Sequence, residues 1–124
     1  MTDTFKISHI TNALSAGDVL CALDDIVEGT AKEFSFRDGD DIHDLFIHRK
    51  NDQVYAYVNI CPHAGTPLNM EEGTFTEKSG RYLMCHTHGA LFQLEDGLCV
   101  AGPCNGAKLR VVDVILKDGN ILVV

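Results

Sequence analysis

Two short motifs, Cys61-Pro62-His63 and Cys85-His86-Thr87-His88, constrain this chain more than any other feature, because they set two thiols and two imidazoles at metal-ligand spacing. His63 and Cys85 are separated by 21 residues, so the fold itself has to bring the two pairs together. Thiolate suits iron, zinc or copper(I), and imidazole suits iron, zinc and copper, so the donor set narrows the metal without settling it. Glycine follows each motif, Gly65 after one intervening residue and Gly89 directly. Glycine lets backbone N–H groups turn inward, which suits bridging sulfides better than a lone zinc ion. A tetrahedral Cys2His2 zinc site is the rival reading.

Around these motifs the chain reads as all-β. Short apolar runs are punctuated by Gly and Asp about every ten residues, and helix-period stretches are nearly absent. Glu33 to Arg37, Asp44 to His48 and Gln53 to Ile60 read as three strands of a meander, separated by Asp38-Gly39-Asp40 and Lys50-Asn51-Asp52, both good turn formers. In the third strand Val54, Ala56, Val58 and Ile60 share one face, expected to be core, and Tyr55, Tyr57 and Asn59 share the other. Leu109 to Leu116 and Ile121 to Val124 flank Lys117-Asp118-Gly119-Asn120, a hairpin signal expected to close the sheet against the first strands. Ile7, Ile10 and Leu14 would suit a short helical turn and Val19 to Leu23 an edge strand, but the pattern assigns neither. Residues 61 to about 106, rich in Cys, His, Gly and Pro, read as a small inserted lobe organised by something other than a core.

With these residues in view, the sequence resembles the Rieske family, whose two boxes read C-x-H-x-G and C-x-x-H-G, here Cys61-Pro62-His63-Ala64-Gly65 and Cys85-His86-Thr87-His88-Gly89. The resemblance runs over roughly residues 20 to 124 and includes Pro67-Leu68, Phe92, the Asp96-Gly97 turn and Gly102-Pro103 in the place of the family's proline loop. It implies a Rieske fold, an antiparallel β-sandwich or barrel base with the cluster-binding lobe inserted. It also implies a [2Fe-2S] cluster with Cys61 and Cys85 on the buried iron and His63 and His88 on the outer one. The interval between boxes is a few residues longer than in most small members, which reads as an elaborated loop around Glu71 to Gly80. High-potential members carry a disulfide between the ligand loops and hydroxyl donors after the second box; here those positions are Thr66 and Thr87, and Ala90 and Phe92. Fewer donors leave the reduced cluster's charge less stabilised, so a low potential is expected.

The whole chain is expected to form one domain, 1–124. Its 18 acidic against 10 basic residues, net −8, argue against nucleic acid or anionic lipid as partners. No apolar run approaches the roughly 18 to 20 residues of a membrane helix, and nothing at Met1 to Lys6 reads as an export signal, so a cytoplasmic monomer is expected. The five cysteines are an odd number, and Cys21, Cys99 and Cys104 read as free or packed thiols, with a Cys99–Cys104 bridge as the alternative their closeness in sequence leaves open. His9, His43, His48 and His86 read as ordinary surface or strand histidines. Lacking a Gly-rich dinucleotide fingerprint and a recognisable 2-His-1-carboxylate site, the chain is expected to have no catalytic residues of its own. The resemblance implies a one-electron carrier between a flavin-dependent NAD(P)H reductase and a terminal oxygenase. A permanently bound small subunit of a reductase such as nitrite reductase, or a redox or iron sensor, is the alternative. The small acidic groups, Glu71-Glu72 and Glu95-Asp96 among them, read as solvated loop charges at turns; the alternative is that Glu71, Glu72, Glu95 or Asp96 ring the docking tip and face a basic patch on a partner.

Overall fold

The structure, a computed structural model, describes residues 4–10, 13–62, 65–69, 73–87, 89–103 and 105–124. Nine strands make three small antiparallel sheets, with 3-10 turns at Ile7–His9 and Leu23–Asp25 as the helical segments among the described residues. The meander is β2 (Ala31–Asp38), β3 (Asp41–Lys50) and β4 (Gln53–Val58). Asn51 supplies the left-handed conformation (φ 58°) that the β3–β4 turn needs. A second sheet has the order β1 (Val19–Ala22), β9 (Asn120–Val123), β8 (Val114–Lys117), so the C-terminal hairpin pairs with the edge strand β1 rather than with the meander. Its turn places Asp118 (φ 53°) and Gly119 (φ 77°) consecutively in the left-handed region, the signature of a tight hairpin. Residues before β8 close the base instead, through Tyr57↔Val111 and Phe5↔Val112 bridges. Nearby, the Asp113 carboxylate is held below its usual range by the Lys6 ammonium and the Thr4 hydroxyl. The third sheet, β5 (Tyr82–Met84), β6 (Leu91–Gln93) and β7 (Cys99–Ala101), is the inserted lobe.

The meander departs from its expected one-sided pattern. Leu45, Ile47, Ala56 and Val58 pack into a base core with Ile7, Ile26, Ile121 and Val123. The alternate positions, Phe46 and Tyr57, pack into a lobe core with Leu68, Phe75, Leu83 and Phe92. One strand pair thus walls two cores, and both faces of β4 are buried because an inserted lobe sits on the side a free meander would expose to water. Ile60 lies past the end of β4 and is 52% exposed, so the alternation does not carry that far. The Tyr57 hydroxyl reaches into the lobe and donates to the Leu94 carbonyl at 2.5 Å. Burial, with Asp96 and Glu95 nearby, raises its pKa far above the ordinary tyrosine value. Gly97 presses flat against this ring, where a Cβ would come 2.8 Å from Tyr57 Cε1.

His48, on the lobe side of β3, is 2% exposed, and neither ring nitrogen has a hydrogen-bond partner. Burial lowers its pKa below the ordinary 6.5, with the Gly29 backbone and Glu28 offsetting part of the effect. Because the folded value is depressed, the neutral ring's stabilisation is complete above about pH 6.5 and is lost as pH falls through the folded pKa. Stability should therefore drop as pH falls below 6.5, by up to about 1.4 kcal/mol per pH unit. The check is urea unfolding from pH 7.5 to 5 for the parent and His48→Leu. An equal slope in both would rule His48 out as the group responsible.

Candidate metal centre

The two ligand loops are built alike. The Cys61 N–H donates to the Thr66 carbonyl at 2.8 Å, and the Cys85 N–H to the Ala90 carbonyl at 2.9 Å. The Gly65 N–H returns to the Cys61 carbonyl and the Gly89 N–H to the Cys85 carbonyl, each at 2.8 Å. Each turn therefore spans a cysteine and the glycine four residues on, although the histidine falls at the third place of one box and the fourth of the other. Both glycines have positive φ, 70° and 73°, a conformation that costs residues with a Cβ more than glycine. Cys61 and Cys85, 1% and 0% exposed, belong to the same packed group.

The loops are also joined to each other. The His86 N–H donates to the Leu68 carbonyl at 2.9 Å; the matching place in the first loop is Pro62, which has no N–H to give. The Thr66 and Thr87 hydroxyls meet at 3.2 Å, a hydrogen bond between the positions where high-potential members carry their disulfide. A third segment covers the second loop, with Gly102 so close to Ala90 that a Cβ would lie 2.8 Å from the Ala90 Cα.

His63 and His88 lie outside the described residues, as do Ala64, Glu71, Glu72 and Cys104. What is described fits a two-iron cluster: two buried thiols on matching turns, tied loops, and glycine at each turn's close. The other thiols differ. Cys99 is buried in the same group, but its Sγ–H donates to the Ala101 carbonyl at 3.3 Å, and Cys21 packs in the base core. His86 has its Nε2 buried without a partner, and the His43 ring is tilted by 49° against Phe5 with centroids 5.0 Å apart.

Charge is unevenly distributed along the chain. Residues 53–70, 82–94 and 97–107 contain no Asp, Glu, Lys or Arg, and these stretches form the ligand loops and their cover. The exposed described residues there are neutral, Ile60, Pro62, Pro67 and Pro103 among them. Glu95 and Asp96 do not ring the tip. Leu91 pairs with Met84 beside Cys85 and Gln93 pairs with Tyr82, so the turn after Gln93 lies at the lobe's opposite end. There Glu95 shares a cleft with Lys50, Arg81, Tyr82 and Gln93. No local pattern around Glu95 reveals this, because which end of a strand faces the site depends on pairing direction. Asn59, which is buried and anchors the first loop, was likewise hidden behind the strand alternation.

Ala90 and Phe92, 1% and 0% exposed, stand without hydroxyls in the second loop and the strand leaving it. Ala90→Ser, or Phe92→Tyr, should raise the midpoint potential by supplying a donor that stabilises the reduced, more negative state. The shift should be on the order of tens of millivolts, since a hydrogen bond to a charged group is worth about 1.5–3 kcal/mol and only its change between redox states counts. Protein-film voltammetry checks it, and an unchanged or lower potential in both variants would refute the donor argument.

The family profile for the Rieske [2Fe-2S] domain matches residues 18–117. No curated protein matches the chain. Among solved structures, the ferredoxin of carbazole 1,9a-dioxygenase from Nocardioides aromaticivorans IC177 is 27% identical, with a TM-score of 0.65 over 88% of this chain and 97% of that one. A chain of the complex of reduced oxygenase and oxidized ferredoxin in carbazole 1,9a-dioxygenase is 28% identical, with a TM-score of 0.66 over 86% of this chain and 90% of that one. The Sphingomonas yanoikuyae B1 ferredoxin shares the fold at 19% identity, with a TM-score of 0.61 over 86% of this chain and 96% of that one.

Proposed function

The chain belongs to the Rieske [2Fe-2S] domain family, and from that premise we propose that it is a low-potential one-electron carrier, taking electrons from a flavin-dependent NAD(P)H reductase and giving them to a terminal oxygenase. The observation that carries this reading is the likeness, at 27% identity, to nearly the full length of a dioxygenase ferredoxin. Cys61 and Cys85 would hold one iron, and His63 and His88 the other. When bound, the cluster supplies a one-electron couple tuned by the hydrogen bonds and charge around it.

The chain's own residues do the rest. The buried cysteine turns exclude water from the inner side of the site, and the proline segment at Gly102-Pro103 covers the second loop. The exposed described residues beside the loops, Ile60, Pro62, Pro67 and Pro103 among them, carry no charge, so contact with a partner there sheds no charged group's hydration. Brief electron-transfer encounters use small interfaces, often below about 1,200 Å², a scale the tip suits.

The test is direct. Purified protein should hold about two iron and two acid-labile sulfide per chain and give a Rieske EPR signal once reduced. NADH with a flavin reductase should reduce it, and it should elute alone from cell extract on gel filtration. One zinc per chain would end the cluster assignment, and co-elution with a large reductase would replace the shuttle by a bound subunit.

A further inference from the structure

Asn59 is a buried polar residue, 5% exposed, at the point where β4 hands the chain to the first ligand loop. Its backbone N–H donates to the Asp44 carbonyl at 2.8 Å, fixing it to β3. Its Oδ1 accepts the Leu68 N–H at 2.9 Å, so the side chain closes the loop it opens. Its Nδ2 donates to Asn69 Oδ1 at 3.1 Å, and Asn69 Nδ2 donates to Glu33 Oε2 at 3.2 Å. The same Glu33 oxygen accepts the Gly73 N–H at 3.0 Å. Leu68 is then held through both of its backbone polar groups, because its carbonyl accepts the His86 N–H of the second loop.

The direction of this relay is fixed at both ends. An ionised carboxylate only accepts, so Asn69 must turn its NH2 to Glu33 and its oxygen to Asn59. A backbone N–H only donates, so Asn59 must turn its oxygen to Leu68. The two requirements agree, and each amide has one orientation. From this we propose that Asn59 is a positioning residue for the cluster: through Leu68 it sets the two ligand loops relative to one another, with Asn69 and Glu33 holding its amide in register. The proposal rests on the Rieske reading above.

Asn59→Asp keeps the shape and the acceptor but cannot donate to Asn69, and it puts carboxylates at both ends of one amide. In reconstituted holoprotein it should speed cluster loss to a chelator, followed by visible bleaching, by at least tenfold, and broaden or shift the EPR lines. Glu33→Gln retains an acceptor for both Asn69 and Gly73 and should stay within twofold of the parent with an unchanged spectrum. Glu33→Ala, at a partly exposed position, removes that acceptor and should speed loss about threefold; it carries the test if Asn59→Asp does not fold. A role confined to stability would lower the unfolding midpoint while leaving the EPR lines of the remaining holoprotein unmoved, and that result overturns the proposal. Parent-like loss rates in both Asn59→Asp and Glu33→Ala overturn it too. A parent protein that binds no cluster would instead overturn the reading on which the proposal rests.

Discussion

His63→Ala and His88→Ala are each expected to abolish the Rieske EPR signal, while His9→Ala, His43→Ala and His48→Ala leave its line shape intact. The expectation follows from the matched turns: Cys61 and Cys85 occupy equivalent places, and each box carries its histidine before the glycine that closes the turn. Removing one imidazole opens a coordination position on an iron, and the characteristic spectrum comes from the histidine-ligated iron. The other three differ in kind. His9 is exposed, His43 packs on Phe5, and His48 is buried in β3. The measurement is EPR of dithionite-reduced protein with iron and sulfide analysis of each variant. A parent-like spectrum from His88→Ala would refute the ligand assignment, and its loss in His43→Ala would mean that a ligand has been misassigned.

Phe46→Ala is expected to cost about 3–5 kcal/mol of stability, the usual range for removing a large buried aromatic side chain. Phe46 is fully buried in the wall between the two cores, stacked on Phe75 with centroids 4.0 Å apart and tilted against Tyr57 at 5.8 Å. The stacked partner reaches the site, because the Phe75 carbonyl accepts the Met84 N–H, one residue before Cys85. Since a domain's total stability is commonly about 5–15 kcal/mol, the variant should melt roughly 10–20 °C lower. Thermal unfolding followed together at far-UV and visible wavelengths checks it. A loss below about 1 kcal/mol would show that the lobe and the base do not depend on their shared wall.

Much of this was legible in the chain because the signals were local. Asp118-Gly119 and Lys50-Asn51-Asp52 announce their turns by backbone preference, and the β2–β3–β4 meander follows from adjacency. The ligand boxes are legible because thiols and imidazoles at fixed spacing have few other uses. The family match agrees with the Rieske reading and the three sheets with the all-β one, while the four ligands stand as a proposal. What was not legible depends on contacts between segments distant in sequence. That β4 is buried on both faces requires knowing that the lobe folds back on it. That Asn59 serves the site requires Leu68 and Asn69 to return beside it, and that β9 pairs with β1 is a partnership nearly a hundred residues apart.

The neutral tip has a consequence for crowding among copies of the chain. Under the proposed carrier role electrons would leak between two copies if their tips met, and the exposed apolar side chains Ile60, Pro62, Pro67 and Pro103 favour such contact in water. The charge excess of −8 lies outside the three uncharged stretches, so tip-to-tip approach brings two like-charged bodies together. That repulsion is felt mainly within the ~8 Å Debye length of physiological salt. It opposes contact between copies while leaving contact with an uncharged or basic partner unhindered, so under the proposed role the charged surface insulates each copy from its own kind.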